Sequence, residues 1–484
     1  MFDSTQPITI KNYINGTLID AHNGSILTTI NPSKGTLLGT LPDSDEVDVA
    51  TAYQAAAQAL AGWKNTSVEA RSEIMYKIAA LIDAHQESLA LAESLDNGKP
   101  ISLARRIDIP RAAANMRFFA QAITQFASES HHSVECLNYT LRQPIGVVAC
   151  ISPWNLPLYL FTWKIAPALA SGNCVIAKPS EVTPLTAYLF STLCIEAGLP
   201  PGVLNVVHGL GHRVGEALVK HHDIKAVSFT GGTATGKNIA SIAAPMFKKL
   251  SLELGGKNAT IIFEDCDFDE MIRTTVQSSF SNQGEICLCG SRIYIERPLY
   301  EKFKKAFVEK VKNIKVGNPL DAATQLGAIV SKAHFDKINS YIVLATTEGG
   351  TLLAGGISLQ PQGCENGYYI APTVFENLAC GSRINTEEIF GPVVTLQPFD
   401  TEEEVIAATN ASAYGLATCI WTNQLKRAHR LAACIDVGIV WINCWLVRDL
   451  RTPFGGMKQS GIGREGGLEA LRFFTEPKNV CIKL

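Results

Sequence analysis

The sequence predicts an α/β fold in which two doubly wound, mostly parallel sheets form separate domains. A chain of 484 residues is too long for one simple core, so two or three domains are expected. Short apolar strands alternate with helices after Asn138, and a second alternating block runs from about Asp267 to Gly455. This alternation is typical of parallel sheets, whose ligands bind at the carboxyl ends of the strands.

The N-terminal part of the chain is predicted to be helical. Between Glu46 and Ala127 the apolar residues recur with helical spacing, and alanine is frequent. The alternation that follows predicts helices near Thr162–Ala170, Thr183–Ala197 and Val214–His221, and one from about Thr235. The segments GVVACIS, NCVIAKP, VLNVVHG, AVSFTGG, KKLSLELGG, NATIIFE and GIVWIN are the predicted strands.

One uncharged segment, Pro144–Trp163, has about the length of a membrane-spanning helix. Pro153, Asn155 and Pro157 lie in its middle, where a helix in lipid could not easily satisfy its backbone groups. We therefore expect a buried strand, Ile145–Ile151, followed by a loop and a helix, in a soluble chain.

Two further segments, Leu137–Pro144 and Asn479–Leu484, have the period-2 pattern of exposed strands. Exposed strands carry unpaired backbone groups that can pair with another chain. We expect the protein to form oligomers through these two segments.

Composition excludes several classes of function. Lys plus Arg number 42 and Asp plus Glu 45, for a net charge of −3, and basic runs typical of nucleic-acid binding are absent. The thirteen cysteines form no CxxC pair, the sequence has no HExxH, and the histidines show no ligand spacing, so no metal is expected. The N-terminus lacks the features of a signal peptide, which predicts reduced thiols and a cytoplasmic location.

Two glycine-rich segments follow predicted strands. GGTATGKN, Gly231 to Asn238, approaches the phosphate-binding loop pattern but has Asn238 in place of the final hydroxyl. GLGHRVG, Gly209 to Gly215, is a weaker signal. Either segment could bind phosphate at a helix N-terminus or form a tight turn without a ligand.

Three residues have the character of catalytic groups. Cys287 lies in a loop of small residues, where a thiol can be accessible and its thiolate stabilised. Glu253 alternates with leucines, so burial would raise its pKa toward that of a general base. Asn155 is a neutral amide suited to bind an oxyanion. The ordinary alternatives are a buried small side chain, an outward-facing strand residue and a loop cap, respectively.

Eight motifs occur in order between Pro153 and Gly467 and together resemble the NAD(P)-dependent aldehyde dehydrogenase superfamily. They are PWNLP, KPSE, FTGG, LELGGKN, NQGEICL, GYYIAPTV, EEIFGPV and PFGGMKQSGIGREGG. The resemblance implies an NAD-binding domain from residues 1–122 and 145–254 and a catalytic domain from residues 255–456. It also implies an oligomerisation arm from residues 123–144 and 470–484, with subunits joined as dimers or tetramers.

The same resemblance implies a role for each site residue. Cys287 would be the nucleophile, Glu253 the base that activates the deacylating water, and Asn155, with the backbone N–H of Cys287, the oxyanion hole. Lys178 and Glu181 would meet the adenine ribose. The residues assigned to the cofactor are Ile151, Trp154, Lys178, Ser180, Glu181, Gly211, Gly215, Phe229, Thr230, Gly231, Gly232, Leu254, Glu388 and Phe390.

Two of these positions bear on cofactor binding. The Glu181 carboxylate favours ribose hydroxyls and repels a 2′-phosphate, so NAD is expected rather than NADP. Gly232 stands where many members of the superfamily have serine, which removes one phosphate hydrogen bond. Pyrophosphate binding would then depend more on backbone N–H groups and on Trp154.

The stretch WINCWLVRDLRTPFGG places Arg448 where many members have an aromatic at the mouth of the substrate tunnel. Arg111 occupies a second tunnel position, often apolar elsewhere. Two guanidinium groups predict a substrate with a carboxylate. A salt bridge with a local acid is the alternative, and it suits Arg451 and Arg106 better.

With ISPWNLPLYL, IDIPRAAAN and NQGEICLC, these arginines resemble the branch of 2-aminomuconic and 2-hydroxymuconic semialdehyde dehydrogenases. The resemblance implies NAD-dependent oxidation of 2-aminomuconate 6-semialdehyde to 2-aminomuconate, as in tryptophan or related aromatic degradation. The hydroxy analogue and a neutral aldehyde such as retinal are the alternative substrates. A structural protein that reuses the fold would need none of Cys287, Glu253 and Asn155.

Overall fold

The computed structural model describes residues 6–484 as two sheet domains and a small arm. In the described part the first sheet has eight strands, and its five central strands are parallel. Chain order reverses between Val147–Ile151 and Ala226–Thr230, and the carboxyl ends of these two strands open a crevice there. The spatial order is Gly461–Ile462, Lys249–Glu253, Ala226–Thr230, Val147–Ile151, Cys174–Lys178, Leu204–Val206, Asn12–Ile14 and Thr17–Ile19.

Helices accompany this first sheet, and the apolar strands between them are buried throughout. All five residues of Val147–Ile151 and of Cys174–Lys178 are buried, as their continuous apolar runs predict. The helices are Glu46–Asn65, Val68–Ala84, Gln86–Asn97, Ile101–Leu103, Ile109–Ile123, Pro157–Ala170, Leu185–Glu196, Glu216–Lys220, Thr233–Ala243 and Gly467–Phe473, with wide π-helical turns at Ala104–Asp108 and Gly211–Gly215.

Two predicted helices differ in their bounds for local reasons. The helix expected near Thr162 already begins at Pro157, because proline fits the first turn, where its missing N–H is not needed. The helix expected over Val214–His221 is divided into the wide turn Gly211–Gly215 and a short helix, Glu216–Lys220. Within residues 6–484, no helix is both long and apolar enough to cross a bilayer.

The second sheet has seven strands among the described residues, six of them parallel. Its spatial order is Thr351–Ala354, Thr373–Glu376, Val393–Phe399, Gly290–Glu296, Asn258–Ile262, Ala417–Trp421 and Ile439–Ile442. Its helices are Phe268–Phe280, Arg297–Lys312, Lys332–Thr347, Arg383–Thr386, Glu402–Asn410 and Leu425–Cys434. Smaller sheets join Ile8–Thr9, Thr36–Pro42 and Ile26–Asn31, then Ser358–Leu359 and Tyr369–Ile370, then Tyr414–Gly415 and Met457–Lys458.

The arm is a three-stranded antiparallel sheet of Ser130–His132, Cys136–Pro144 and Thr475–Lys483. The two exposed strands predicted from sequence are therefore real. Within one chain they pair with one another, with Leu137 opposite Ile482. Thr475–Lys483 is an edge strand of this sheet, and the formation of oligomers through these segments stays a prediction.

After the last strand of the second sheet and before the last strand of the arm, the chain adds one more strand to the first sheet. Leu252 and Glu253 pair with Ile462 and Gly461 in antiparallel register. The helix Gly467–Phe473 packs against a helix of the first domain. The predicted start of the arm at residue 470 falls inside this helix. The segment after residue 456 thus closes the sheet edge that carries Glu253.

Gly461→Ala is expected to destabilise the fold, because Gly461 has φ +149 and an added Cβ would lie 2.1 Å from the carbonyl oxygen of Leu252. We expect a loss of roughly 1–3 kcal/mol, as for other overpacked sites. Gly62→Ala is the control, since this exposed helical position leaves nothing within 4 Å of the new Cβ. Thermal unfolding should show a lower Tm for Gly461→Ala alone, and equal Tm values would contradict this account.

Candidate active site

The three predicted catalytic residues come from separate segments that meet at the junction of the two sheets. Glu253 is the last residue of its strand in the first sheet. Asn155 lies in the loop after the strand Val147–Ile151. Cys287 lies just before Gly290–Glu296, a strand of the second sheet. The carboxyl edge of the first sheet therefore faces the amino edge of the second.

Cys287 lines three cavities, two of which it shares with other predicted site residues that come from the first sheet. It shares the first, called here the front cavity, with Glu253 and Arg448. It shares the second, called here the back cavity, with Asn155 and Glu388. A thiol between the two spaces could react with a group in one while a second molecule occupies the other.

An unusual backbone turn presents Cys287 to these cavities. Asn282, Gln283 and Gly284 have φ values of 51°, 58° and 72°, so three successive residues are left-handed. Such conformations are costly for residues other than glycine and persist only where neighbours enforce them. The Asn258 side-chain amide donates to the carbonyl of Cys287 at 2.7 Å and to that of Cys289 at 3.0 Å.

The Cys287 thiol is half-buried, and burial raises its pKa. The carboxyl groups of Glu253 and Glu388 raise this pKa further, whereas the Arg448 guanidinium lowers it. The stabilised thiolate expected from sequence therefore depends on Arg448, since the other charged neighbours favour the thiol.

Glu253 is buried, and this burial raises its pKa well above the ordinary value. The second cause is Glu465, a buried acid on the wall of the front cavity. Glu465 accepts a hydrogen bond from the Lys164 ammonium at 2.7 Å and another from the Ser228 hydroxyl at 3.0 Å. Among the described residues, one Glu253 oxygen has no hydrogen-bond partner and can accept a proton from water.

Asn155 is held on both its backbone and its side chain. Its amide nitrogen donates to the carbonyl of Glu285 at 2.9 Å, which uses one of its two hydrogens. Its own carbonyl accepts from the Lys99 ammonium and from the Asn282 amide, both at 3.1 Å. The second amide hydrogen can therefore serve an oxyanion without any change in the loop.

The Lys99 ammonium is fully buried and joins several parts of the site. It lies 3.0 Å from a carboxylate oxygen of Asp108 and 3.6 Å from one of Glu93. Asp108 also lines the front cavity. Sequence reasoning missed Lys99, Glu465 and Lys164, because a lone charge beside glycine or within an apolar run does not reveal its burial. The arrangement fixes the loop that carries Asn155 relative to the cavity wall.

Seven of the predicted cofactor residues surround the back cavity together with Asn155. The Glu388 carboxylate accepts the Gly256 N–H at 2.8 Å, and burial raises its pKa. The rings of Trp154 and Phe390 meet edge to face at 5.2 Å. The eight residues are Trp154, Thr230, Gly231, Gly232, Leu254, Glu388, Phe390 and, from the catalytic set, Asn155.

Four others, Ile151, Gly211, Gly215 and Phe229, line a third cavity, called here the glycine cavity. A Cβ on Gly215 would lie 3.8 Å from the side chain of Lys178, which flanks this space.

Lys178 and Glu181 lie next to Gly215 and Gly211, respectively, two wall residues of the glycine cavity. The Lys178 ammonium donates to the Glu181 carboxylate at 2.9 Å. Although burial acts to raise the pKa of Glu181, Lys178 lowers it overall, so the group is an anion near neutrality. Ser180 accepts the N–H of Val182 and shapes the loop.

The helix Thr233–Ala243 begins at Gly232, and no described side chain caps its N-terminus. Its first N–H groups can therefore bind an anion. A Cβ on Gly232 would have nothing within 4 Å, so the space for the serine common elsewhere remains. A dinucleotide thus fits the residues present.

Arg448 is a wall residue of the front cavity. Its guanidinium donates to the Tyr159 hydroxyl at 2.7 Å and stacks on the Phe454 ring at 4.0 Å. Arg111 lies over the Tyr159 ring at 5.6 Å but is not itself a wall residue. In the part of the chain that the structure describes, neither arginine forms an ion pair. Both can therefore take an external anion.

The other two arginines behave differently from each other. Arg451 pairs with Asp449 at 2.6 Å, as expected. Arg106 has no ion-pair partner within residues 6–484, so the expected local salt bridge is wrong.

A cluster of three side chains that could bind a metal, His22, Asp45 and Asp48, lies near the start of the first helix. Its two carboxylates already accept hydrogen bonds from backbone N–H groups.

The family model described as the aldehyde dehydrogenase family matches residues 19–480. The chain belongs to the aldehyde dehydrogenase family. An aldehyde dehydrogenase of Bacillus cereus, solved as an NAD+ complex, superposes with a TM-score of 0.96 at 41% identity, with 99% of this chain and 97% of that chain covered. This likeness confirms the predicted fold class.

Two curated relatives within the family have names that specify a substrate. A 2-aminomuconic semialdehyde dehydrogenase of Mus musculus is 48% identical, with 98% of each chain covered. A 2-hydroxymuconic semialdehyde dehydrogenase of a Pseudomonas species is 44% identical, covering 98% of this chain and 99% of the relative. The branch resemblance seen in the motifs is thus confirmed over nearly the full length.

Arg448→Gln is expected to raise the pKa of Cys287, because the guanidinium favours the thiolate. The rate of Cys287 alkylation by iodoacetamide, followed by peptide mass spectrometry across a pH series, should then reach its midpoint at higher pH. Arg451→Gln is the matched control, since that arginine is exposed and paired with Asp449. An unchanged profile for Arg448→Gln would remove Arg448 from the electrostatics of the thiol.

Proposed function

We propose that this aldehyde dehydrogenase oxidises 2-aminomuconate 6-semialdehyde to 2-aminomuconate, with NAD as the electron acceptor and water as the oxygen donor. The observation that carries the proposal is the Arg448 guanidinium, which lines the cavity of Cys287 and Glu253 and has no acid partner among the described residues. Relatives named for this reaction support the same substrate.

The chemistry assigned to the residues is covalent catalysis. The Cys287 thiolate attacks the aldehyde carbon, and the oxyanion that forms accepts hydrogen bonds from the Asn155 amide and the Cys287 N–H. Loss of hydride from this carbon leaves a thioester on Cys287. Glu253 then takes a proton from water, which attacks the thioester and releases the carboxylic acid.

NAD, when bound, supplies the hydride acceptor. The residues that would hold it are those of the back and glycine cavities, together with Lys178 and Glu181. The Glu181 carboxylate is held ionised by Lys178, which favours ribose hydroxyls over a 2′-phosphate. We therefore propose NAD rather than NADP.

The distant end of the substrate is assigned to Arg448 and Arg111. Tyr159 contacts both guanidinium groups, one through its hydroxyl and one through its ring. A planar guanidinium bound to a carboxylate contributes about 1.5–3 kcal/mol through a charged hydrogen bond. A short, unsaturated semialdehyde with a terminal carboxylate suits a cavity that has a thiol and a guanidinium on its walls.

2-Hydroxymuconic semialdehyde is the second candidate substrate, because relatives named for it share the full length of the chain. A neutral aldehyde such as retinal would leave the Arg448 charge without an anion, and we place it last.

We also propose a cytoplasmic homo-oligomer, a dimer or tetramer that assembles through the arm. All thirteen cysteines are free thiols, which supports a reducing compartment.

Arg448→Ala and Arg111→Ala should each lower kcat/KM for a muconic semialdehyde, by roughly 1.5–3 kcal/mol of transition-state free energy. On a neutral aldehyde, steady-state kinetics should show little change for Arg111→Ala and a smaller loss than on the acid for Arg448→Ala, because Arg448 also favours the Cys287 thiolate. Arg451→Ala, which removes a neighbouring exposed arginine, is the control and should leave both substrates unaffected. Equal losses on acid and neutral substrates would reject the carboxylate contact.

Glu253→Gln should stop hydrolysis of the thioester while Cys287 still reacts. Rapid mixing is expected to show one burst of NADH per active site followed by slow turnover, and Cys287→Ala should show no burst. In the unaltered enzyme the hydrolytic rate should rise with pH through the raised pKa of Glu253, because only the anion is a base. Normal steady turnover in Glu253→Gln would assign the base elsewhere.

A further inference from the structure

A second, larger depression adjoins the front cavity. This basic groove is open to solvent, and its walls include Arg106, Arg273, Lys310 and Glu309. Three side chains, Leu103, Gln277 and Ser281, line both the groove and the front cavity. The two spaces therefore share part of one wall, and the groove lies between that wall and solvent.

Positive charge predominates in the basic groove. Arg106, Arg273 and Lys310 face one wall acid, Glu309. Arg273 is already hydrogen-bonded to Glu270, whereas Arg106 is exposed and has no acid within ion-pair distance among the described residues. An unpaired guanidinium beside a concave surface attracts anions from solution.

The local backbone conformation orients Arg106 toward this groove. It lies in the wide π-helical turn Ala104–Asp108, and such turns re-aim side chains within a helix. Its neighbour Arg105 does not line the groove and pairs with Glu87 at 2.8 Å. Ile107 and Asp108, from the same turn, line the front cavity. One turn thus carries a cation for the groove and part of the cavity wall.

We propose that the basic groove is an approach site for carboxylates, where Arg106 captures the anionic substrate before it reaches Cys287. This inference rests on the proposed function, which gives the substrate its carboxylate. Arg106 acts on association, whereas Arg448 and Arg111 act on the bound molecule. Because the charge is exposed, its attraction weakens as salt screens it.

Iodoacetate and iodoacetamide test the groove without any assumption about the natural aldehyde. Both alkylate thiols and lose iodide, but only iodoacetate is an anion. In Arg106→Gln the rate of Cys287 alkylation by iodoacetate at low salt should fall about three- to tenfold. The loss should disappear at high salt, and the rate with iodoacetamide should stay the same. Peptide mass spectrometry assigns the alkylation to Cys287.

Arg105→Gln is the matched control, because it removes an adjacent cation that points away from the groove. The proposal is overturned if Arg106→Gln leaves the iodoacetate rate unchanged at low salt, or if Arg105→Gln lowers it equally. A muconic semialdehyde should show the same salt-sensitive fall in kcat/KM. An iodoacetate effect without a semialdehyde effect would retain the approach site and reject the proposed substrate.

Discussion

The buried Lys99 ammonium is the contact on which the geometry of the active site depends. It donates hydrogen bonds to the carbonyl of Asn155 and to the carboxylate of Asp108, and it forms an ion pair with Glu93 at 3.6 Å. A buried charge costs several kcal/mol unless such partners surround it, so the three acceptors must keep their places. The loop that carries the oxyanion donor and the turn that forms the cavity wall are therefore held by the same ion.

Arg448 connects binding and chemistry in this site. Its positive charge lowers the pKa of Glu253 and that of Cys287, opposing the burial that raises both. A carboxylate bound to Arg448 would partly cancel this effect on the thiolate and on the base. Under the proposed function, an anion shared with Arg111, whose guanidinium lies over the ring of the same Tyr159, would reduce that conflict.

Local pattern was sufficient to predict most strands, whereas the resemblance of eight ordered motifs identified the residues that meet at the junction. The strand before Asn155 follows from a continuous apolar run and that of Glu253 from alternation with leucines, and their carboxyl ends lie at the site as expected. Cys287 departs from that rule, since it precedes its strand and lies at an amino edge. The family resemblance placed Cys136–Pro144 and Thr475–Lys483 in one arm, but their pairing and register do not follow from local pattern, because strand partners so distant in sequence leave no local signal. The absence of an ion pair at Arg106 among the described residues could not be predicted either, because it depends on which side chains the fold brings near this arginine.

The antiparallel partner of the Glu253 strand, Gly461–Ile462, has a consequence for biosynthesis. During translation the ribosome must complete the whole second sheet before it supplies the edge of the first. Until then the nascent first domain exposes the backbone of Lys249–Glu253, a surface prone to wrong association. A message cut short near its end would therefore yield a chain in which Glu253 lies on an unpaired sheet edge, and such a product is expected to be a substrate for chaperones or proteolysis.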